Sequence, residues 1–253
     1  GGDPMTQQAR VALITGGIGG IGTAICRRLA KDGFRVVANH HPSEQEVADA
    51  WRRERADEGM EIDTAAADVA SCDDSARMVK ELEDRYGTID VVVNCAGITR
   101  DKTFKKMEQS HWEAVINVNL NSVYNVTRPV WEGMLERGFG RVINISSVNG
   151  QRGQFGQANY STAKAGMHGF TMALAQEGAA KGITVNTISP GYVETAMTLA
   201  MRDDVREAII SGIPMRRMGL PDEIASAVAF LVAEENGYVT GANIPVNGGL
   251  FMH

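Results

Sequence analysis

The chain contains little cysteine: Cys26, Cys72 and Cys95 are its only three among 253 residues, and they form no Cys-x-x-Cys pair. An odd number of isolated thiols argues against a disulfide scaffold and is typical of proteins in a reducing compartment. An excess of positive charge is also missing, because the formal net charge is -6 at pH 7. These absences predict a cytoplasmic protein whose partners are neither nucleic acids nor membranes.

Long apolar runs are absent as well. No stretch of about 18 consecutive apolar residues occurs, and the start of the chain lacks the basic and then apolar pattern of a secretory signal. We therefore expect a soluble protein that is not exported. Residues 1–4 resemble a cloning remnant, so the natural chain is expected to begin at Met5. No clustering of His, Cys, Asp and Glu at metal-ligand spacing is found, and no metal site is predicted.

The sequence does contain a regular alternation of short β-branched runs and longer helical patterns. Strands are predicted near 11–15, 35–38, 62–67, 91–94, 141–145, 183–187 and 244–246, and helices over 20–32, 43–58, 73–86, 108–136, 157–181 and 221–234. Strands without polar alternation are covered on both faces. The pattern predicts an α/β fold in one domain, 5–253: a Rossmann-type, doubly wound, seven-stranded parallel sheet with helices on both faces.

A glycine-rich turn follows the first predicted strand and precedes the first predicted helix. Its residues fit two overlapping patterns, Gly17-x-Gly19-x-x-Gly22 and Thr15-Gly16-x-x-x-Gly20-Ile21-Gly22. The free N–H groups of a helix N-terminus bind a pyrophosphate, and glycine lets the backbone approach it closely. The turn therefore predicts a dinucleotide site, although it does not by itself choose between the two patterns.

The end of the second predicted strand carries Asn39, His40 and His41 and no acidic residue. A carboxylate at this position accepts hydrogen bonds from the adenosine ribose 2′-hydroxyl but repels a 2′-phosphate. Its absence favours NADPH over NADH, with Asn39 and His40 as predicted neighbours of the 2′-phosphate. No arginine is present at this tip to strengthen that preference.

Tyr160 and Lys164 stand four residues apart in a helical pattern, so both side chains project from one helix face. A nearby ammonium favours the phenolate, which predicts that Lys164 lowers the pKa of Tyr160 toward a range useful for proton transfer. Ser147 follows the strand 141–145, where its hydroxyl can donate to a substrate carbonyl oxygen. Asn119 lies inside the predicted helix 108–136, an unfavourable place for asparagine that suggests a further role.

Taken together, these motifs resemble those of the classical short-chain dehydrogenase/reductase family, in the family's order and spacing, over essentially the whole chain from Met5. The residues that carry the resemblance are Thr15, Gly16, Gly20, Ile21, Gly22, Asp68, Val69, Asn94, Ala96, Gly97, Asn119, Ser147, Tyr160, Lys164, Pro190, Gly191 and Thr195. It implies that Asn119, Ser147, Tyr160 and Lys164 form a catalytic tetrad of an oxidoreductase. Cys95 departs from the family, which usually has asparagine there.

The resemblance also selects the second glycine pattern and implies the residues that bind NADP(H). They are Gly16, Gly17, Gly19, Gly20, Ile21, Gly22, Asp68, Val69, Asn94, Ala96, Gly97, Tyr160, Lys164, Pro190, Gly191, Val193 and Thr195, besides Asn39 and His40. Asp68 is expected at the adenine, and the segment from Pro190 to Thr195 at the nicotinamide. Gly19 occupies a position that is often basic in NADPH-dependent members.

A closer resemblance, to the acetoacetyl-CoA reductases of polyhydroxybutyrate synthesis, is visible in 97–101, 146–151, 153–166 and 247–249. It implies an acyl-CoA substrate and the contacts Asp101, Lys106, Ser147, Gln154, Phe155, Gln157 and Tyr192. A Met-rich segment, 195–217, is expected to form a lid over the substrate. The alternatives are a 3-oxoacyl-acyl-carrier-protein reductase and, from another class, a non-catalytic dinucleotide-binding protein. The family resemblance implies a homotetramer, with Trp112, Trp131 and Phe251 as interface candidates.

Overall fold

The computed structural model describes residues 8–253, so the expectations for residues 1–4 and Met5 lie outside the described part of the chain. The strands are β1 (Val11–Ile14), β2 (Arg35–His40), β3 (Asp63–Ala66), β4 (Val91–Asn94), β5 (Gly140–Ile145), β6 (Ile183–Pro190) and β7 (Asn243–Val246). The helices are α1 (Gly20–Lys31), α2 (Gln45–Asp57), α3 (Cys72–Tyr86), α4 (Gln109–Ile116), α5 (Ser122–Arg137), α6 (Val148–Arg152), α7 (Ala158–Gly178), α8 (Ala196–Leu199), α9 (Asp203–Ser211) and α10 (Pro221–Val232).

Within residues 8–253 the strands form one sheet with the order β3-β2-β1-β4-β5-β6-β7, and every pairing is parallel. The predicted seven-stranded, doubly wound sheet is therefore confirmed. The chain first builds outward from β1 to β3 and then in the other direction from β4 to β7. Loops leaving β1 and β4 diverge at this switch point, which is where ligands bind in open α/β sheets.

Two hydrophobic cores cover the two faces of the sheet. One contains Ile25 of α1 and Val228 of α10, and the other contains Met78 of α3 and Val130 of α5. The central strands β1 and β4 are buried throughout, as their uninterrupted apolar runs predicted. Because both faces of these strands are buried, the strands are fixed relative to one another. The loops that follow them at the carboxyl edge therefore begin from fixed positions.

The predicted helix 108–136 differs from the structure in one respect. A π-helical turn, Asn117–Asn121, separates α4 from α5 and carries Asn119. The Asn119 amide donates to the carbonyl of Val115, 2.9 Å away, and so competes with the regular helix bonds. Pro129 lies inside α5 without ending it.

The predicted lid segment, 195–217, contains the short helices α8 and α9. Within it and directly after it, Met197 and Met215 are exposed, whereas Met218 is buried. No helix in the described residues is long and apolar enough to cross a bilayer.

Candidate active site

The glycine turn between β1 and α1 is packed so tightly that side chains cannot be added. Gly16 has a φ of +58°, and a Cβ there would lie 2.8 Å from the Cα of Ala96. A Cβ at Gly17 would lie 2.8 Å from the Cα of Ala38. The bare backbone and the uncapped start of α1 form a cradle suited to a pyrophosphate, which fits the implied dinucleotide.

Thr15 fixes this turn to the loop that follows β4. Its Oγ1 accepts hydrogen bonds from the backbone N–H groups of Cys95 and Ala96, at 3.0 and 3.1 Å. The two loops of the switch point are thereby joined by one hydroxyl. Thr15 was part of the recognised motif, but its supporting role depends on a contact across 80 residues that no local pattern indicates.

The end of β2 carries the two predicted neighbours of the 2′-phosphate. Asn39 and His40 are buried, because β2 continues to His40 alongside β3. The Asn39 Oδ1 accepts from Gly16 N at 3.3 Å, and its Nδ2 donates to the carbonyls of Ala65 and Ala67 at 3.2 Å. The Asn39 amide thus supports the glycine turn from the interior, and the placing of Asn39 and His40 beside a 2′-phosphate stays a prediction.

His40 is likewise turned inward, and its Nδ1 donates to the His41 carbonyl at 2.8 Å. The exposed groups at this end of the strand are His41 and Ser43, whose side chains lie 2.7 Å apart. The sequence showed polar residues at a strand tip, but pairing with β3 decides which of them point outward.

Asp68 and Val69 lie in the loop after β3, on the adenine side of the predicted site. The Asp68 Oδ1 accepts from Ala70 N at 3.0 Å, and its own N–H donates to Asp74 Oδ2 at 2.7 Å. This backbone hydrogen bond is the main reason that the pKa of Asp74 is lowered. Asn125 of α5 donates to the Val69 carbonyl at 2.9 Å and so fixes this loop to the helix.

Ser147 follows β5 and begins α6. Its Oγ accepts from the N–H of Asn149 at 3.1 Å, which leaves the hydroxyl proton free to be donated. The glycine at 150 allows α6 to lie against α7, because a Cβ there would come within 2.8 Å of the Lys164 Cβ. The short helix that Ser147 begins therefore packs closely against the helix that carries Lys164.

Lys164 is buried, and its Nζ donates to the Ile145 carbonyl at 2.9 Å. Burial lowers the pKa of this ammonium to about 8. The Nζ lies 5.5 Å from the centre of the Tyr160 ring. The predicted tyrosine and lysine pair therefore shares one face of α7 and points toward the end of β5.

The pKa of Tyr160 does not follow the expectation from sequence. Burial raises the pKa of the phenol, and contact with the Ser147 hydroxyl lowers it in part. Lys164 is bound to a backbone carbonyl and lies over the ring, so desolvation dominates the pKa of the phenol. The phenol is consequently held in its protonated form at neutral pH.

Asn119 completes this cluster from the π-helical turn. Its Nδ2 donates to the Ile98 carbonyl at 2.8 Å, and its buried Oδ1 has no partner among residues 8–253. A Cβ at Gly97 would lie 2.7 Å from this Oδ1 and 3.5 Å from the Lys164 Nζ. Gly97 therefore leaves space between an open acceptor and a buried cation.

Asn94 lies beneath the cluster at the end of β4. Its Nδ2 donates to the Oδ1 of Asn144 at 2.9 Å, and the Asn144 amide donates to the Thr171 hydroxyl of α7 at the same distance. Cys95, the residue that departs from the family, is half-buried, and burial raises the pKa of its thiol to about 11. This thiol remains protonated at neutral pH.

The segment after β6 reaches the other side of the glycine turn. Pro190 ends β6, and a Cβ at Gly191 would lie 2.8 Å from the Cβ of Asn247. Val193 is buried, and Thr195 caps α8. The methyl group of Thr195 lies 3.4 Å from a Cβ position at Gly20, so the segment predicted at the nicotinamide borders the glycine cradle predicted for the pyrophosphate.

Some of the predicted substrate contacts have exposed side chains, whereas others are already hydrogen-bonded within the protein. Phe155 is 87% exposed, Gln154 and Lys106 are exposed, and Tyr192 is half-buried. Gln157 is buried and already bonded. Its Oε1 accepts from Asn149 Nδ2 at 3.0 Å, and its Nε2 donates to the Asp101 carboxylate at 3.1 Å, so it joins two walls of the cleft.

The cluster of Ser147, Tyr160, Lys164 and Asn119 beside a glycine cradle is suited to proton transfer to a carbonyl oxygen. Comparison with known proteins agrees with this arrangement. A family model described as short chain dehydrogenase matches residues 10–206.

Full-length relatives are similar over nearly the whole chain. The acetoacetyl-CoA reductase of Allochromatium vinosum is 78% identical over 245 residues, 97% of this chain and 100% of the relative. The enzyme of the same name from Cupriavidus necator is 54% identical over 98% of this chain and 100% of the relative. The 3-oxoacyl-[acyl-carrier-protein] reductase of Vibrio cholerae is 41% identical with the same coverage. The chain therefore belongs to the short-chain dehydrogenase family and is an oxidoreductase of the kind that binds a nicotinamide dinucleotide.

Proposed function

We propose that this chain reduces acetoacetyl-CoA to (R)-3-hydroxybutyryl-CoA with NADPH as the cofactor. The observation that carries the proposal is the convergence of Ser147, Tyr160, Lys164 and Asn119 at one sheet edge. This convergence occurs in a chain that is 78% identical, over its relative's full length, to an acetoacetyl-CoA reductase.

The proposed mechanism assigns a separate task to each side chain. When bound, reduced nicotinamide supplies a hydride to the carbonyl carbon. Tyr160 donates its phenolic proton to the carbonyl oxygen, and its raised pKa favours the protonated starting form. Ser147 donates its hydroxyl to the same oxygen and stabilises the developing negative charge, since its Oγ already accepts from the backbone.

Lys164 and Asn119 act on Tyr160 after it has given up its proton: one stabilises the phenolate, and the other helps to restore the proton. In the proposal the Lys164 ammonium binds the ribose hydroxyls of the cofactor and stabilises the phenolate that forms. The open Oδ1 of Asn119 is the acceptor that would hold a water beside this ammonium and restore the proton.

The preference for NADPH rests on the end of β2, which has no acidic residue from Val36 to Ser43. A 2′-phosphate is therefore not repelled there by a carboxylate. With the Asn39 amide turned inward, we place the phosphate near the exposed His41 and Ser43. The remaining cofactor contacts are proposed as the family resemblance implies.

The wider setting is also part of the proposal. From the resemblance to acetoacetyl-CoA reductases we infer a role in polyhydroxybutyrate synthesis, a cytoplasmic location and a homotetramer. The scarcity of cysteine and the negative net charge support the location.

Steady-state kinetics test the substrate and the cofactor together. We expect kcat/KM for acetoacetyl-CoA to exceed that for a simple ketone of similar size by a large factor, with NADPH preferred over NADH. A kcat/KM for acetoacetyl-CoA no better than for the simple ketone would reject the substrate assignment. A preference for NADH would reject the cofactor assignment alone.

A second candidate function is favoured by the 41% identity to the 3-oxoacyl-[acyl-carrier-protein] reductase of Vibrio cholerae. The same side chains would reduce a carrier-bound β-keto thioester. The two substrates share the β-keto thioester and differ in the group on its sulfur, which is coenzyme A in one case and the carrier protein in the other. This group is recognised outside the cleft. Higher kcat/KM for acetoacetyl-carrier protein, and for longer 3-oxoacyl chains, would favour this second function.

A further inference from the structure

Asn159 directly precedes Tyr160 and is fully buried, yet neither a motif nor the mechanism above uses its side chain. Its amide makes three hydrogen bonds. The Nδ2 donates to the carbonyls of Arg100 and His111, each at 3.1 Å, and the Oδ1 accepts from the N–H of Tyr160 at 2.7 Å. Both donors and one acceptor of this amide are therefore used on backbone groups.

These bonds join three parts of the cleft. Arg100 belongs to the loop 98–106 that carries Asp101 and Lys106, His111 lies in α4, and Tyr160 lies in the first turn of α7. The start of α7 has no side-chain cap from Gln157, so the N–H of Tyr160 is one of the free helix donors. Asn159 satisfies this donor and at the same time binds the loop across the cleft.

Two other bonds join the same segments: Lys102 N donates to the Gly156 carbonyl at 3.0 Å, and Gln157 reaches the carboxylate of Asp101. The loop residues Arg100, Asp101 and Lys102 are all exposed, but the side chain of Asn159 is fully buried. A hydrogen bond that is withdrawn from water holds its groups more firmly, because water cannot replace the partner.

We propose that Asn159 is a positioning residue that sets the distance between the Tyr160 phenol and the substrate loop 98–106. The inference rests on the proposed function, because it assumes that the substrate lies between these two segments. Removing the amide takes the hydrogen-bond partner from the Arg100 carbonyl and from the Tyr160 N–H, and it breaks the bond to α4, where the His111 carbonyl keeps its helical partner. The loop then separates from the start of α7. The carbonyl oxygen of the substrate is then held out of reach of the phenol.

The test compares Asn159→Ala with Asn186→Ala. Asn186 is a matched control, because it is also fully buried and also joins backbone groups: its Nδ2 donates to the Val239 carbonyl at 2.9 Å and its Oδ1 accepts from Ala242 N at 3.0 Å. A third variant, Asn159→Asp, keeps the shape and the acceptor for Tyr160 N. Its ionised carboxylate cannot donate to the two carbonyls.

Kinetics give the first readout. We expect Asn159→Ala and Asn159→Asp to lower kcat with acetoacetyl-CoA by about 100-fold and to raise its KM, whereas the Kd for NADPH stays unchanged. Asn186→Ala should lower the melting temperature by as much as Asn159→Ala does. It should leave kcat within about 2-fold of the wild-type value. Equal kcat in all three variants, or equal losses in Asn159→Ala and Asn186→Ala, would overturn the proposal.

Hydrogen exchange gives a second readout that does not depend on the substrate. In both Asn159 variants, exchange should accelerate for peptides covering 98–106 and 156–161 and not for those covering 237–243, with the reverse in Asn186→Ala. Unchanged exchange at 98–106 in both Asn159 variants would overturn the positioning role. A wild-type protein inactive on acetoacetyl-CoA would instead reject the proposed function, and the exchange comparison would still decide the role of Asn159.

Discussion

Gly97 shows at the scale of a single residue how a missing side chain shapes the candidate site. A Cβ at this position would meet the Asn119 Oδ1 at 2.7 Å and approach the Lys164 Nζ at 3.5 Å. The space beside Gly97 is thus bounded by one open acceptor and one buried cation. We infer that this space is needed by the proposed water and by the cofactor ribose.

Gly97→Ala should therefore reduce turnover more than it reduces stability. The added methyl group displaces the Asn119 amide, so we expect kcat to fall by about 10-fold or more, within the usual contribution of proton transfer. Gly169→Ala is the control, since a Cβ at this α7 position meets nothing within 4 Å. It should leave kcat unchanged and stabilise the helix by about 0.5–1 kcal/mol. Unchanged kcat in Gly97→Ala would show that this space is not used.

The buried Lys164 gives a prediction about pH. Its pKa falls to about 8 in the folded chain, which corresponds to about 3 kcal/mol of lost stability below pH 8. The unfolded chain keeps its proton to higher pH, so this penalty disappears as pH rises from about 8 toward 10.5. Lys164→Met removes the charge, and its stability relative to wild type should therefore decline as pH rises through this window.

Urea unfolding of wild type and Lys164→Met at a series of pH values measures this difference, without cofactor present. The methionine also loses the bond to the Ile145 carbonyl, which shifts all values by a constant amount. A difference between wild type and Lys164→Met that is independent of pH would contradict burial of the ammonium.

At the scale of elements, β5 and α7 are joined at successive levels. The Asn144 amide reaches Thr171, the Ile145 carbonyl accepts from Lys164, and Ser146 Oγ donates to the Lys164 carbonyl at 2.8 Å. Thr171 lies two helical turns beyond Lys164 on the same buried stripe. These contacts fix the helix that carries the phenol against the strand that leads to Ser147.

Thr171→Val keeps the volume but removes the hydroxyl that accepts from Asn144 and from Thr187. A buried amide and a buried hydroxyl lose their partner, so we expect a loss of about 1–3 kcal/mol in the free energy of unfolding. Chemical denaturation measures it. Thr162→Val, at an exposed position of α7, should change stability by less than about 0.5 kcal/mol. Equal effects of the two substitutions would contradict a structural role for this network.

The elements that the sequence predicted well are those whose burial leaves a clear pattern. The strand expected at 91–94 coincides with β4, whose valines are buried on both faces. β2 extends beyond its predicted end at 38, because pairing of Asn39 with Ala65 and His40 with Ala66 buries two polar residues that look like a loop. Polar character alone does not show which residues a neighbouring strand will cover.

The parts of the site that sequence did not reveal depend on contacts between distant segments. The π-helical turn arises from one amide that competes with backbone bonds, and a helical pattern contains no sign of it. Asn159 and Thr15 act through bonds that span 48 to 81 residues. The sequence spacing of Tyr160 and Lys164 identifies the neighbour on the helix but not the extent of burial, and burial is what raises the pKa of Tyr160.

At the scale of the whole molecule, exposed apolar side chains mark faces that the single chain does not cover. Tyr124 of α5 and Met172 of α7 are each about half exposed, and Trp112 lies nearby in sequence on α4 with 37% exposure. Trp131 and Phe251, the other interface candidates, are half-buried. The proposed tetramer would cover the faces of the long helices.

Met172→Arg should therefore weaken assembly, because it places a charge on an apolar face. Sedimentation velocity should give a tetramer of the 27.2 kDa chain for wild type and smaller species for the variant. Gln45→Arg, at an exposed position of α2 and away from the long helices, is a control for added charge. A wild-type monomer would contradict the proposed assembly, and an intact Met172→Arg tetramer would exclude this face.

The most direct test of the central claim is the rate at which wild type and Tyr160→Phe reduce acetoacetyl-CoA with NADPH, measured together with the Kd for NADPH. Loss of the phenolic proton should lower kcat by at least about 100-fold and leave the Kd nearly unchanged, because the glycine cradle is not altered. Full activity of Tyr160→Phe would contradict the account.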